Sequence, residues 1–533
     1  MPPLAPAVAA ALRLARRVAV LFCSAFGLVV AALMAGCTAG DTTVEAGGVG
    51  EPPAPLSERA PGCDGWGLVY EVYVRSYQDS DGDGIGDLEG LQSRLGHVEA
   101  LGVDTLWLMP VFPAFGPAGY DVEDFGSVTP EYGDLAALDA LVADAHARGM
   151  RVLLDLPFNH VHANHPWFVA AEAGDAAARA RFVYADTPGD DGRWWPSAAG
   201  GWYYGYFGPA MPDLDYDNPA VLAEMSAVWD TWLDHVDGFR LDAVLMLDEE
   251  DGVTEGAPAA HAALGALVDA ARAAHPEVCL LAEASEWEAG RTATWLDSGL
   301  WSGADRVLDF VRQDALVDAG ATGDSGGLRD VLAIEGEADG FDGMGTFLGS
   351  HDLARLPARI PDAARREAAR VVQLLLPGAP VLYYGEELDL ADATSGTGQD
   401  YAMRAPMPWD DSEHAGFTTG WPWFVPDPGY RDGANVAAQE AEPDSPLAVV
   451  QAVGALRREW HLEEGDTWRP VAGLPAGVVG FRRVSSVGEV TVYANLGADT
   501  IATDTSAAHP ILASDAGVGP LGAGAWRVWA TAG

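Results

Sequence analysis

Four short segments place acids or histidines directly behind apolar residues. They are Asp155-Leu-Pro-Phe-Asn159-His160, Gly238-Phe239-Arg240-Leu241-Asp242-Ala243, Leu281-Ala282-Glu283 and Phe347-Leu-Gly-Ser350-His351-Asp352. In the second, Phe239 and Leu241 alternate with Arg240 and Asp242, the pattern of a buried strand end. Residues two apart on a strand share a face, so Arg240 stands beside Asp242. A guanidinium there keeps the carboxylate ionised and in place, as a carboxylate nucleophile requires. A lone Arg-x-Asp is more often a structural ion pair. Three further strand ends carrying acids and histidines turn the balance toward chemistry done by carboxyl groups.

Such groups need a scaffold that brings distant strand ends together. From Leu68 onward, short apolar runs alternate with helical patterns, the rhythm of a parallel sheet with crossover helices. Strands are expected at Leu68–Val74, Thr105–Met109, Val152–Asp155, Gly238–Leu241, Cys279–Ala282, Arg306–Phe310, Met344–Leu348 and Val381–Tyr384. Eight of them suit a (β/α)8 TIM barrel, in which chemistry sits at the C-terminal strand ends. Asp155, Asp242 and Glu283 end their strands, and Asp352 follows one. The rhythm breaks between residues 161 and 219, which reads as a domain inserted after the third strand. Its Trp194-Trp195 and Trp202–Phe207 aromatics either stack on a ligand or fill a small core. From about residue 464, alternating runs predict a closing all-β sandwich domain.

Taken in order and spacing, the four segments resemble the signature regions of the α-amylase family of glycoside hydrolases (family 13). The resemblance runs from about Trp66 to the C-terminus. It implies Asp242 as nucleophile, Glu283 as acid/base, and Asp352 as the group gripping the 2- and 3-hydroxyls of a distorted sugar. It further implies that Tyr120 stacks on that sugar and that His160, His351 and Arg404 contact it, with Arg240 keeping Asp242 charged. Gly378–Glu387 resembles the family's strand-eight motif. Arg404-Ala-Pro-Met-Pro-Trp409 and Met211-Pro-Asp-Leu-Asp215 resemble elements of the intermediary α-amylase and oligo-1,6-glucosidase-like branch. The implied reaction is retaining cleavage of α-1,4-glucosidic bonds in maltooligosaccharides or starch-derived glucans. The alternatives are an α-glucosidase, a trehalose synthase or other transglycosidase, and, more remotely, a non-catalytic membrane-tethered relative, against which the three acids argue. Pro117 stands where exo-glucosidases carry an Asp, which disfavours that branch. Leu245 and Met246 stand where many α-amylases carry Lys-His. Ala243 follows the nucleophile, as in α-1,4 rather than α-1,6 enzymes.

Asp79-Ser-Asp81-Gly-Asp83-Gly-Ile85-Gly-Asp87 alternates acids with glycines, which lets a tight loop wrap oxygen ligands round a hard cation. An EF-hand would need Glu at its twelfth position, which is Gly90 here. The motif resembles the calcium loop of the oligo-1,6-glucosidase branch. That implies Ca2+ held by Asp79, Asp81, Asp83, the Ile85 carbonyl and Asp87. A solvated acidic turn is the plain alternative.

The chain has 533 residues and a formal net charge of −49, from 79 acidic and 30 basic residues. No lysine occurs. That charge argues against nucleic acid and anionic membrane surfaces as partners and suits a neutral sugar such as an α-glucan. Residues 1–37 read as a signal peptide: Arg13, Arg16 and Arg17 precede an apolar run, then Leu33-Met34-Ala35-Gly36-Cys37, which resembles a lipobox with Cys37 lipidated. An uncleaved anchor is the alternative. Residues 38–63 read as a flexible tether. The barrel is expected over 64–160 and 220–463, the inserted domain over 161–219 and the sandwich over 464–533. The expected location is the bacterial cell envelope, exported and lipid-anchored, the anchor being the only membrane contact. Cys279 falls on a buried strand and is expected to be a free packed thiol.

Overall fold

The computed structural model of the protein describes residue 63 and residues 65–248, 253–286, 292–296, 303–336, 343–393, 399–462, 467–501, 510–515 and 520–532. The expected signal peptide, Cys37 and most of the tether lie outside the described residues.

Strands β1 (Leu68–Val72), β2 (Val103–Leu108) and β3 (Arg151–Leu156) come first. The inserted segment carries β4 (Tyr184–Ala185), β5 (Trp194–Pro196) and β6 (Trp202–Tyr204), a small antiparallel sheet in the order β4-β6-β5. Then follow β7 (Gly238–Leu241), β8 (Cys279–Ala282), β9 (Arg306–Leu308), β10 (Met344–Phe347) and β11 (Ala379–Tyr383). The eight long-range strands close into a parallel barrel in the ring order β1-β11-β10-β9-β8-β7-β3-β2. This is the TIM barrel expected from the alternation of apolar runs and helices. Its strands are buried on both faces, so their apolar runs are nearly continuous.

Helices start where the sequence supplies caps. Asp134 accepts from Ala137 N before the helix Leu135–Ala147, and Ser445 accepts from Ala448 N before Pro446–Glu459. Asn218 caps Pro219–Leu233, with Pro at its first position. A side-chain oxygen there satisfies a backbone donor the helix leaves open, and Pro costs nothing where no intrahelical N–H bond exists. Among the described residues no helix is long and apolar enough to cross a membrane.

The closing all-β domain is a five-stranded antiparallel sheet among the described residues. Its strands are β12 (Thr467–Pro470), β13 (Val478–Val484), β14 (Gly488–Asn495), β15 (Leu512–Ala513) and β16 (Trp526–Ala532), in the order β12-β13-β14-β16-β15. Arg483 of β13 donates to the carbonyls of Leu375 and Leu376, at 3.2 and 3.1 Å, tying the sheet to the end of the barrel helix Ala363–Leu375.

One expectation fails. Cys279 is not a free thiol: it forms a disulfide with Cys63, Cα–Cα 5.1 Å. Cys279 opens β8 at the barrel's N-terminal face. The chain leading into β1 lies under that same face, with Trp66 buried in one cluster with Cys63, Cys279, Val69, Trp107 and Leu281. The two cysteines are 216 residues apart in sequence. Only barrel closure brings them together.

Candidate active site

Strand register builds the centre of the site. Asp155 on β3 pairs across from Arg240 on β7, and Arg240 pairs across from Leu281 on β8. The next residues leave the strand ends: Asp242 N donates to Leu156 O (3.2 Å) and Glu283 N to Leu241 O (2.9 Å). One buried guanidinium then serves three acids. Arg240 Nη1 donates to Asp155 Oδ1 (2.9 Å) and Asp242 Oδ1 (2.6 Å), and its Nη2 lies 2.7 Å from Glu283 Oε2. Trp107 Nε1 and Tyr120 OH donate to the far oxygen of Asp155, at 3.1 and 2.8 Å. Asp155 is thus saturated and serves as a strut. Asp242 and Glu283 keep oxygens facing the open cleft, with 11% and 17% of their side chains exposed.

A second cluster stands on the loop after β10. His351 Nδ1 lies 2.5 Å from Glu71 Oε1, and its Nε2 lies 2.9 Å from Asp352 Oδ2 and 2.7 Å from Tyr120 OH. The Tyr120 and His351 rings stack at 5.1 Å. Arg404 donates through Nε to His351 O (2.9 Å) and through Nη2 to Asp352 Oδ1 (3.0 Å). Asp352 is ringed by protein yet keeps 57% of its side chain open to solvent, as a group lining a cleft does. His160 points its Nε2 to Tyr120 O (3.1 Å), and Phe207 of the inserted domain packs against it at 5.0 Å.

The electrostatics follow from this wiring. Burial raises Asp242 well above the carboxylate range, Arg240 opposes this, and Glu283 and Asp155 add to it. Burial would lower His351, but Asp352 and Glu71 outweigh it and carry it up to about 10, so the ring is charged at neutral pH. The converse holds for Asp352: burial would raise it, and His351 and then Arg404 pull it well below the usual range. Burial brings His160 down to about 4, so it is neutral. With Nε2–H given to Tyr120 O, its Nδ1, buried and without a partner, is left as an acceptor.

The structure therefore gathers Tyr120, His160, Arg240, Asp242, Glu283, His351, Asp352 and Arg404 at the C-terminal mouth of the barrel. Two contributors went unnoticed in the sequence: Glu71 in the strand Leu68–Val72 and Trp107 in β2. Glu71 was visible as an acid inside an otherwise apolar strand, a pattern that signals a buried partner. In the inserted domain, Tyr203 and Tyr204 pack as core, whereas Phe207 is 42% exposed beside His160.

The acidic loop lies to one side. Oxygens of Asp79, Asp81 and Asp87 converge to within 4.8 Å of one another. Asp83 accepts from Ile85 N (2.8 Å) and lies outside that trio. Asp79 also accepts backbone N–H groups from Asp81 (3.0 Å), Gly82 (2.7 Å) and Gly84 (2.8 Å). An all-oxygen, carboxylate-rich donor set fits a hard cation such as calcium.

A barrel with paired carboxyls at its C-terminal mouth defines a class of sugar-cleaving enzymes. Residues 71–465 match the model described as alpha amylase, catalytic domain, and the chain belongs to that family of glycoside hydrolases. It is 31% identical over 390 residues to Alpha-amylase 3 of Dictyoglomus thermophilum, covering 71% of this chain and 74% of that protein. It is also 31% identical over 485 residues to the trehalose synthase/amylase TreS of Mycolicibacterium smegmatis, covering 78% and 79%. Among solved structures, an alpha-amylase from H. orenii superposes with a TM-score of 0.75 at 28% identity, covering 88% of this chain and all of that one.

Proposed function

We propose that the protein cleaves α-1,4-glucosidic bonds of maltooligosaccharides or starch-derived glucans with retention of configuration. The observation that carries this is Arg240 holding Asp242 and Glu283 on two nitrogens of one guanidinium. Carboxyls held this closely suit double displacement, which needs a separation of ~5–5.5 Å, rather than inversion, which needs ~6.5–9.5 Å.

In the first step Asp242 attacks the anomeric carbon as the bond to the leaving oxygen breaks, and Glu283 gives that oxygen its proton. The step requires Glu283 to carry the proton and Asp242 the charge, and the bond from Arg240 Nη1 to Asp242 Oδ1, 2.6 Å, lowers the cost of that charge. In the second step Glu283 takes a proton from water, whose oxygen attacks the anomeric carbon and frees Asp242. Asp352, kept ionised by His351 and Arg404, accepts hydrogen bonds from two sugar hydroxyls, and the face of Tyr120 supports the ring.

Ala243 supports the α-1,4 reading. It adopts a left-handed backbone, φ 53°, and its N–H points to Glu283 Oε2 at 3.3 Å. A small side chain tolerates that backbone, whereas a β-branched one is strained there and would crowd the leaving sugar. Transfer to a sugar acceptor in place of water is the second reading, because relatives include the trehalose synthase/amylase above and a 4-alpha-glucanotransferase of Thermotoga maritima, 31% identical over 416 residues.

The loop trio Asp79, Asp81 and Asp87 would hold a structural Ca2+, which would supply charge neutralisation and no chemistry at the cleaved bond. Export to an oxidising compartment is supported by the Cys63–Cys279 disulfide, since such bonds persist outside reducing cytosol, whereas lipidation of Cys37 rests on the lipobox-like Leu33–Cys37 segment alone.

Product analysis by NMR and chromatography tests the reading. Maltotriose should be cut with the α-anomer appearing first, isomaltotriose ~10-fold or more slowly, and Asp242→Asn should lose at least ~10³-fold in rate because the covalent step disappears. Initial β-anomer, or equal rates on the two trisaccharides, would overturn it.

A further inference from the structure

The reaction needs two charged clusters at a fixed distance, and they hang on different strands. Asp242 and Glu283 stand with Arg240 at the ends of β7 and β8, whereas His351 and Asp352 stand on the loop after β10. Two aromatic rings touch both clusters. Tyr120 does so from the cleft, where the sugar lies. Trp107 does so from below and is 1% exposed, so it never meets substrate.

Register puts Trp107 at this junction. On β2 it lies across from Glu71 of β1 and Leu153 of β3. Glu71 is the acid that holds His351. Asp155, two residues past Leu153 and on the same face of its strand, is the acid that holds Arg240. The body of the indole packs in the barrel interior with Val69, Leu153, Leu281 and Phe347, so close packing fixes its orientation.

Each part of the ring then meets a different member of the site. Its Nε1 donates to Asp155 Oδ2 (3.1 Å). Its face lies 5.1 Å from Arg240 Cζ, within reach of a cation–π contact. It meets the charged His351 ring edge to face, with centroids 6.2 Å apart and the planes at 88°. Arg240 Nε is buried without an acceptor, so the guanidinium takes its orientation from the acids at its Nη atoms and from the indole beneath it.

We infer that Trp107 is a positioning residue of the reaction: one rigid indole holds Asp155, Arg240 and His351 in place, and so fixes the distance from the Asp242–Glu283 pair to the sugar that Asp352 grips. The N–H on Asp155 carries most of that effect, and the remainder of the ring is packing. A misplacement of ~1 Å between reacting groups costs on the order of 10²-fold in rate. Trp107 therefore acts on kcat and leaves ground-state binding nearly untouched, since Tyr120, Asp352 and Arg404 still meet the sugar. This rests on the retaining reaction proposed above and deepens it.

Two substitutions separate positioning from packing. Trp107→Phe keeps most of the ring volume and loses the N–H. Trp107→His gives up the six-membered ring, but its Nε2 can stand where the indole carries Nε1 and donate to Asp155. The full-length variants are assayed on maltotriose and melted by calorimetry. Trp107→Phe should lose at least ~10-fold in kcat with KM within ~3-fold of wild type, the pattern of a contact that matters only in the transition state. Trp107→His should melt lower than Trp107→Phe and yet turn over at least ~3-fold faster. Four outcomes would each assign Trp107 to packing and overturn the inference while leaving the reaction intact: activities that follow the melting temperatures, a fall expressed mainly in KM, a Trp107→Phe kcat within ~3-fold of wild type, or failure of both variants to fold. A wild type that does not cut maltotriose overturns the proposed function as well.

Discussion

At the scale of single residues the site depends on which groups carry charge, and His351 is the sharpest case. Its partners Glu71 and Asp352 raise it from an ordinary value near ~6.5 to about 10. A group raised in the folded state contributes its stabilisation fully below its unfolded value and loses it as pH rises through the folded one. The contribution of His351 should therefore be whole at pH 6, decline steadily above that, and be gone beyond about 10. Urea unfolding of wild type and His351→Gln should show a stability gap that is widest at pH 6 and narrows by pH 10. An equal gap at both would mean that His351 is not charged. Asp352 behaves in the opposite sense: its stabilisation is present above the usual carboxylate range and fades only in strong acid. Together the two keep the charges of this cluster constant between the usual carboxylate range and about pH 10.

At the scale of elements, two devices fasten loops that the barrel alone would leave loose. The first is Cys63–Cys279, which fastens the entry segment beneath β8. Cross-links over long loops typically stabilise by roughly 2–4 kcal/mol. Reduction, or Cys63→Ser, should lower the melting temperature by several degrees in calorimetry while leaving kcat unchanged, since the bond lies at the face opposite the active site. The second is the acidic loop. Asp79 N donates to Phe417 O (3.0 Å) and Trp423 N donates to Gly84 O (2.8 Å), so the loop is stitched to the segment that carries Trp423. Converging carboxylates repel unless a cation joins them. Chelation by EDTA should therefore lower the melting temperature of wild type and not of Asp81→Ala, whose melting point should already be depressed. An unchanged melting curve in both would remove calcium from the loop.

At the scale of the molecule, 79 acids against 30 arginines leave a self-repelling surface. Salt shortens the reach of that repulsion, the screening length falling from ~10 Å at 0.1 M to ~3 Å at 1 M. Stability should accordingly rise or hold between 0.1 and 1 M NaCl in thermal melts. A steady fall across that range would show that specific ion pairs, not overall repulsion, dominate. The same charge leaves a neutral glucan as the partner least penalised at the surface.

The sequence by itself determined the barrel and marked the acids that the barrel gathers at its mouth. Both are local signals: alternation of apolar runs with helices, and acids at strand ends such as Asp242 and Glu283. A strand that is buried on both faces and ends at a functional mouth must be written that way in its own residues. What only the tertiary structure decided are relations between strands distant in sequence. Arg240 serves Asp155, Asp242 and Glu283 at once because β3, β7 and β8 lie side by side in one register. Glu71 charges His351 across 280 positions, and Cys63 meets Cys279 across 216. Phe115 and Trp423 face one cleft although they come from loops after different strands. Closing a barrel fixes these pairings through hydrogen bonds that any backbone can make, so no residue type announces them in advance.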